Sequence, residues 1–237
     1  MKEHGKRYTT AVKEIDKAKA YSTAEAVAIA KKAATAKFDE TVELHLRMGL
    51  DPRNSAQQVR GVALLPFGLG KPVRVLVFAQ GEAARTAEQA KADFVGADDL
   101  IKKVEEGWTE FDVAIATPDM MGKVGKLGKV LGRKGLMPNP KSGTVVPPAD
   151  LPRVLQDARK GRVEFKMDRT SIIHVVCGKA SFEPEKLVGN VSAIIDAIVK
   201  AKPAGAKGQY IRSAYVTTTM GPGVKLDLRT ALEPTAS

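Results

Sequence analysis

Two apolar runs in the middle of the chain constrain its fold more than any other feature. Residues 73–79 read VRVLVFA and residues 112–116 read DVAIA, and neither run alternates with polar residues. Continuous apolar strands of this kind are typical of parallel sheets that have helices on both faces. Helices are predicted at 82–92, 100–106 and 151–160, and a short strand at 94–96. The middle of the chain is therefore predicted to form a three-layer α/β unit.

The two flanking parts of the chain follow a different pattern. Every second residue from Thr41 to Met48 is apolar, which is the period of a strand with one exposed face. Ser22 and Glu25 form a capping box for a preceding helix that should run to about Ala36. The other elements predicted here are a helix at 9–18, a strand at 59–65 that should pair with the first strand, strands at 163–167, 171–176 and 210–219, and a helix at 184–200.

A break in composition separates these patterns. Residues 66–72 read PFGLGKP, and their prolines and glycines predict a hinge. The alternating pattern returns after about Lys160. We therefore predict a discontinuous α+β domain from residues 1–66 plus 160–237, with an α/β domain inserted at 67–159. Composition alone does not show that the two ends of the chain join.

The segment Gly122–Gly143, which we call the cationic stretch, concentrates positive charge. It has six glycines, six lysines or arginines and no acidic residue. Backbone amides exposed by glycine, together with cationic side chains, suit phosphate groups. We predict that the stretch is a loop and that Asp119 caps the helical start that runs into it. The alternative to phosphate binding is that this loop is only solvated and mobile. The stretch does not match a nucleotide-binding P-loop, because no G-x-x-x-x-G-K-[ST] frame fits.

Four segments resemble one known family, the bacterial large-subunit ribosomal protein L-one, or stalk protein, family. They read KFDETVELHLRMGLDPRNSAQQVRG from Lys37, GKLGKVLGRKGLMPNPKSGTV from Gly125, GKASFEPEKL from Gly178 and YVTTTMGPGVKL from Tyr215. The resemblance covers the chain up to about Leu228. It implies that both termini build one split β-α-β, ferredoxin-like domain, and that the inserted domain is Rossmann-like.

The resemblance also implies function and partners. It implies a structural, cytoplasmic protein of the ribosome, a monomer when free, that binds the stalk region of 23S rRNA. It further implies help with release of deacylated tRNA from the E site, and translational repression through binding its own operon's mRNA. The RNA contacts it implies are Lys37, Phe38, Thr41, Lys166, Asp168, Arg169, Ser171, Thr217, Thr219, Met220 and Gly221. From the residues alone, a core position is favoured for Phe38 and for Met220.

The residues themselves indicate a second contact surface. The net charge is +11, and the terminal parts, 1–66 and 161–237, carry +8 of it spread along their length. The middle part carries +3, which becomes −3 without the cationic stretch. We therefore predict a secondary, electrostatic site at Lys123, Lys126, Lys129, Arg133, Lys134 and Lys141. Acidic polymers are the partners that such charge favours.

Several classes of protein are disfavoured. The three histidines, His4, His45 and His174, have no metal-ligand or nucleophile spacing, and no G-x-G-x-x-G follows residues 73–79. No apolar run is long enough to cross a membrane. Cys177 and Trp108 are predicted to lie in cores. We predict a non-enzyme without cofactor or metal; the alternatives are a nonspecific polyanion binder and, far less favoured, a nucleotide-binding enzyme.

Overall fold

The computed structural model describes residues 5–16 and 18–232. Its helices are α1 Lys6–Lys13, α2 Thr23–Ala33, α3 Glu82–Gln89, α4 Asp98–Glu105, α5 Met121–Val124, α6 Gly128–Lys134, α7 Leu151–Arg159, α8 Pro184–Lys200 and α9 Leu228–Ala231. Its strands are β1 Thr41–Met48, β2 Arg60–Leu64, β3 Val75–Phe78, β4 Phe94–Gly96, β5 Val113–Ala116, β6 Arg162–Lys166, β7 Ile172–Lys179, β8 Ile211–Thr218 and β9 Val224–Lys225. The mixed α+β and α/β class predicted from the sequence is confirmed.

The described chain forms two compact units. Unit 1 contains the residues up to Gly70 and those from Val163 onward, and unit 2 contains Lys71–Arg162. Unit 1 is built on an antiparallel sheet with the strand order β7-β1-β8-β9, and β2 pairs with β6 in a second, two-stranded sheet. Unit 2 is built on a three-stranded parallel sheet with the order β4-β3-β5.

The central strand β1 explains how unit 1 buries one face of its sheet. Val42, Leu44, Leu46 and Met48 are buried, whereas the residues between them are partly or fully exposed. The buried side packs against α2 and α8, whose apolar residues belong to the same core. We call the other side, which carries Thr41, Glu43, His45 and Arg47 on β1, the open face. Its polar side chains follow from the period of two that the sequence shows.

The partner predicted for the second strand is wrong. β2 does not pair with β1, because β7 and β8 occupy the two edges of β1. It pairs with β6 instead and contacts α8. The apolar pattern of 59–65 correctly indicates a strand, but a pattern does not reveal which edge of which sheet is free.

Two helices end earlier than predicted. The first spans Lys6–Lys13, where 9–18 was expected, and Lys17 lies outside the described residues. The capping box of α2 is confirmed, since Ser22 Oγ accepts from the Glu25 amide and Glu25 accepts from the Ser22 amide. The helix stops at Ala33, however, and does not reach Ala36. The backbone leaves helical geometry at Ala34, and the Ala36 amide donates to the Glu40 side chain.

A buried asparagine fixes the segment that leaves unit 1. Asn190 of α8 is fully buried, and its Oδ1 accepts from the Phe67 amide at 3.2 Å. Its Nδ2 donates to the carbonyl oxygens of Gly68 and Cys177, at 3.0 and 2.8 Å. The predicted hinge residues 66–68 are therefore anchored to the helix of unit 1. Cys177 is buried as predicted, and burial raises the pKa of its thiol far above the ordinary value.

Unit 2 has an apolar cluster on each side of its sheet. Leu76 and Phe78 of β3 pack against α4 and the helical segment that begins at Pro118. Val75 and Val77 of the same strand pack on the opposite side against α3 and α7. The three-layer arrangement predicted from continuous apolar strands is present. Trp108 is half-buried at the margin of the first cluster, in contact with the rings of Phe94 and Phe111.

The cationic stretch is largely helical, so the prediction of a loop is wrong. Helical turns cover 118–134, and only Gly135 and Gly143 of its six glycines adopt a positive φ. The segment is amphipathic: Met120, Val124, Leu127 and Leu131 are buried at a spacing of three or four residues. Asp119 does not cap the segment, because the N-cap position is Thr117. The stripe is visible in the sequence, but the abundance of glycine favours the prediction of a loop.

Candidate nucleic-acid interface

The ends of β1 and β8 are joined by the predicted contact residues themselves. The Thr41 amide donates to Thr219 Oγ1 at 2.9 Å, and the Thr219 amide donates to the Thr41 carbonyl oxygen at 3.1 Å. Thr41 Oγ1 accepts from Lys179 Nζ of β7 at 2.9 Å. The two threonines therefore stabilise the end of the sheet, and the Thr219 hydroxyl is used for this contact.

Glu40 lies directly beneath this end of the sheet. The residue is 1% exposed, and its carboxylate accepts from the amides of Ala36 and Met220, both at 2.9 Å. Burial alone would raise the pKa of Glu40, but the two amides hold it below its ordinary value. A buried carboxylate that accepts two backbone hydrogen bonds fixes both segments that donate them. Glu40 thus positions the α2–β1 connection and the turn after β8.

The turn after β8 requires glycine for a local reason. A Cβ atom on Gly221 would lie 2.4 Å from Thr218 Oγ1, and Thr218 is buried. The Thr217 hydroxyl donates to the Gly221 carbonyl oxygen at 3.1 Å. Packing within unit 1 therefore explains Gly221, and Thr217 supports the same turn.

At this end of the sheet, three of the predicted side chains are exposed to solvent. Phe38 is 55% exposed and Met220 is 54% exposed, and Lys37 is exposed beside Phe38. For Phe38 and Met220 the structure excludes the core alternative. Large apolar side chains held at the surface by a rigid backbone are available to stack on a base or pack on a ribose.

The second group of predicted residues forms the turn between β6 and β7. Asp168 Oδ1 accepts from the amides of Thr170 and Ile172, both at 2.8 Å. Ser171 adopts a φ of 62° and donates from its hydroxyl to the Leu50 carbonyl oxygen at 2.9 Å. These contacts make Asp168 and Ser171 supports of the turn, whereas Lys166 and Arg169 are exposed.

The two groups lie at opposite ends of the same open face. In the antiparallel register Thr41 pairs with Lys179 and Arg47 pairs with Ile172, so the Asp168 turn adjoins the far end of β1. An eight-residue strand is roughly 23 Å long. The predicted residues thus share one sheet, but they do not gather at one point. A ligand that touches both groups has to lie along the open face.

Several residues of this surface are not predicted from the sequence. Glu40 and Lys179 received no role, although both hold the end that carries Met220. The sequence places His45 on the polar face of its strand, but it does not show that His45 and His174 face each other across β1 and β7. An acidic residue just before a strand in a basic protein is a weak signal for Glu40. The strand register that brings the histidines together has no local signal in the sequence.

The cationic stretch offers four unengaged basic side chains. Lys123 Nζ contacts both carboxylate oxygens of Asp98, at 2.8 and 2.9 Å, and Lys134 contacts Thr109. The other four predicted residues are exposed, and within the described chain their side chains make no hydrogen bond or ion pair: Lys126, Lys129, Arg133 and Lys141. A Cβ atom added to Gly122, Gly125, Gly128 or Gly132 would meet nothing within 4 Å. These helical glycines face open space at the surface of unit 2, so its packing does not require them.

Comparison with known proteins decides the family. A family model described as ribosomal protein L1p/L10e matches residues 30–222. The chain belongs to this family. It is 66% identical over 229 residues to the large ribosomal subunit protein uL1 of Dehalococcoides mccartyi, covering 97% of each chain. It is 56% identical over 229 residues to the protein of that name from Chloroflexus aggregans, covering 96% of this chain and 97% of the relative.

Membership of the L1p/L10e family confirms the predicted resemblance and the prediction that the chain is a ribosomal protein, not an enzyme. It also agrees with the predicted cytoplasmic, ribosomal location. Within the described residues, no group of three or more histidine, cysteine, aspartate or glutamate side chains could hold a metal ion. Over the same residues, none of the helices has the length and apolar character needed to span a bilayer.

The role of Glu40 predicts how stability depends on pH. Because its pKa is lowered in the folded state, the carboxylate stabilises the fold above about pH 4.5, and this contribution is lost as pH falls through the lowered pKa. Glu40→Gln should reduce the free energy of unfolding at pH 7 by about 1–3 kcal/mol, because the amide nitrogen of glutamine cannot accept from a backbone N–H. Urea denaturation at pH 7 and pH 4 measures both effects.

Glu105→Gln, at an exposed position on α4, is the matched control and should leave the free energy of unfolding within about 0.5 kcal/mol of the original. The account of Glu40 is wrong if Glu40→Gln matches this control at pH 7, or if it keeps the full acid sensitivity of the unchanged protein.

Proposed function

We propose that this L1p/L10e family member is a structural constituent of the large ribosomal subunit that binds the stalk region of 23S rRNA through unit 1. The observation that carries the proposal is the pair of exposed groups at the two ends of the open face. Phe38 and Met220 are held there by the buried Glu40, and Lys166 and Arg169 by the Asp168 turn. A surface of this kind reads RNA by shape and by backbone contacts more than by base edges.

The finer roles rest on the family resemblance. We propose that the chain, as a monomer when free, also assists release of deacylated tRNA from the E site and represses translation by binding its own operon's mRNA. The cationic stretch supports a second RNA contact, because Lys126, Lys129 and Arg133 stand on the exposed side of one helical segment. Its open glycine positions allow a phosphate backbone to approach the helix closely.

Two features of unit 2 disfavour the nucleotide-binding alternative. In sheets of this type a nucleotide phosphate binds at a helix N-terminus beyond the carboxyl end of a strand. The first turn of α3 carries Glu82, and the first turn of α4 carries Asp98 and Asp99. Carboxylates at these positions repel phosphate. A nonspecific polyanion binder, by contrast, would need only the charge and none of the buried supports beneath Phe38 and Met220.

The exposed side chain of Met220 gives the first test of the RNA-binding proposal. Met220→Asp should weaken binding to the stalk segment of 23S rRNA by about 1–3 kcal/mol, because it removes an apolar contact and adds a negative charge. Its melting temperature should remain unchanged, since Met220 is 54% exposed. Thr219→Val should lower both affinity and melting temperature, because it leaves the Thr41 amide without its side-chain acceptor. Filter binding and thermal denaturation provide the two measurements.

Val199→Asp is the control, since Val199 is a 42% exposed apolar residue on α8 that belongs to neither group. It should leave RNA affinity unchanged. Equal losses of affinity for Met220→Asp and Val199→Asp would show that Met220 does not contact the RNA.

The unengaged cations predict a salt effect. Replacing Lys126, Lys129, Arg133 and Lys141 with glutamine should flatten the dependence of log affinity on log salt by up to roughly 0.7–0.9 for each phosphate that the variant no longer binds. The preference for stalk RNA over random RNA should persist, because phosphate contacts position a ligand without discriminating its sequence. Lys123 and Lys134 are left unchanged because Asp98 and Thr109 engage them.

The matched control replaces Arg85, Lys102, Lys103 and Lys160 with glutamine, which removes the same charge from other parts of unit 2. An identical salt slope for both variants would show that the cationic stretch affects RNA binding only through the net charge of the protein. Loss of the preference for stalk RNA in the first variant would mean that unit 2 carries primary recognition.

We further propose that unit 1 is an independent domain, with an insertion close to the predicted residues 67–159. Replacing 71–162 with a short glycine linker should leave a protein that folds and still prefers stalk RNA, because both groups of exposed residues belong to unit 1. Circular dichroism establishes folding, and filter binding establishes the preference. A folded product without the preference would contradict the proposal.

A further inference from the structure

The middle of the open face holds two facing histidines. His45 of β1 and His174 of β7 are paired in the strand register, and their Nδ1 atoms lie 2.7 Å apart. The ring centroids are 4.9 Å apart with an interplanar angle of 67°. Both side chains reach solvent, at 26% and 52% exposure. The rings therefore share one hydrogen bond at a place that a ligand on this face can reach.

Each ring also faces a carboxylate on its outer side. His45 Nε2 lies 3.6 Å from Glu43 Oε2, and His174 Nε2 lies 3.7 Å from Asp168 Oδ2. The four side chains form a continuous row of carboxylate, imidazole, imidazole and carboxylate. With both imidazoles neutral this row carries two negative charges. Such charge opposes the approach of RNA phosphates between the two groups of exposed residues.

The nitrogen atoms of the two rings show where another proton fits. In the neutral pair one ring donates from Nδ1 to the Nδ1 of the other, and the accepting ring then has its proton on Nε2, toward its carboxylate. The Nε2 of the donating ring is left bare opposite the other carboxylate. One added proton on that Nε2 completes the row without breaking the bond between the rings. A second added proton would place two N–H groups against each other at 2.7 Å.

The surroundings of His45 oppose a proton on its ring in the absence of a ligand. Burial and the neighbouring His174 lower the pKa of His45 below its ordinary value of 6.5, against the opposing effect of Glu43. The other charged or titratable groups around the pair are Arg47 on β1, Tyr215 beside His45 on β8, Lys225 opposite Tyr215 on β9, and Lys166 and Asp168 on the β6–β7 hairpin. An arriving phosphate adds negative charge and so favours the protonated pair.

We propose that the His45–His174 pair takes up one proton when RNA occupies the open face, so that RNA binding by this protein is coupled to protonation. The inference rests on the proposed RNA-binding function of unit 1. An RNA that touches both ends of the face passes over the pair, which lies at the middle of β1. The added proton lowers the charge of the row from two negative charges to one, and the resulting cation can face a phosphodiester oxygen.

The coupling has a definite sign and limit. RNA affinity should rise as pH falls from about 8, with a slope of up to roughly tenfold per pH unit for one proton, and should level off below the lowered pKa of His45 in the free protein. The slope is measured by filter binding of the full chain to the stalk segment of 23S rRNA from about pH 6 to about pH 8. Calorimetry in two buffers of different ionisation enthalpy counts the protons taken up by the complex.

The variants His45→Gln and His174→Gln remove the titrating rings and keep polar side chains. Each should flatten the pH slope and abolish proton uptake. His4→Asn is the matched control, because it removes the third histidine of the chain, and it should keep both. The unchanged protein and this control suffice for the calorimetric test should either pair variant fail to fold.

Different results identify different failures. A flat slope without proton uptake in the unchanged protein, or a slope that survives in both pair variants, overturns the coupling while RNA binding stands. A slope that disappears in His4→Asn also overturns it. Absence of stalk RNA binding across the whole pH range refutes the proposed function itself, and the coupling falls with it.

Discussion

The buried carboxylate of Glu40 is the interaction on which the candidate surface depends. It accepts hydrogen bonds from the amides of Ala36 and Met220, so one side chain holds both the connection after α2 and the turn after β8. Without it, the α2–β1 connection and the turn after β8 would lose the one side chain that accepts a backbone amide from each. Phe38 and Met220 can then remain exposed in defined positions, because the backbone beneath them is held and its own polar groups are paired.

The two units present different chemistry to a polyanion. Unit 1 combines hydrogen-bonded threonine hydroxyls with a few exposed side chains at the two ends of the open face. Such a surface suits recognition of RNA by its shape. Unit 2 presents cations on an amphipathic helical segment whose apolar stripe is anchored in its core. Lysines on such a helix attract and position phosphate without reading the sequence of the nucleic acid. This difference supports the proposal that the chain has a selective contact surface in unit 1 and an electrostatic one in unit 2.

The sequence predicted the features that have a local cause and missed those that depend on distant pairing. The capping box at Ser22, the alternation of β1 and the apolar strands β3 and β5 each follow from residues close together in the chain. The pairing of β2 with β6 and the meeting of His45 with His174 follow from the register of strands roughly 100 or more residues apart. The helix within the cationic stretch had a local signal, the stripe from Met120 to Leu131, but the abundance of glycine obscured it.

Selective binding is the central claim, and a competition experiment tests it most directly. The full chain, bound to a labelled stalk segment of 23S rRNA, is challenged with unlabelled stalk RNA and with RNA of the same length and composition in shuffled order. If the surface held by Glu40 reads RNA shape, the unlabelled stalk RNA should compete at a concentration at least about 1,000-fold lower, within the range found for specific nucleic-acid binding. Equal competition by both RNAs would show that charge alone accounts for binding.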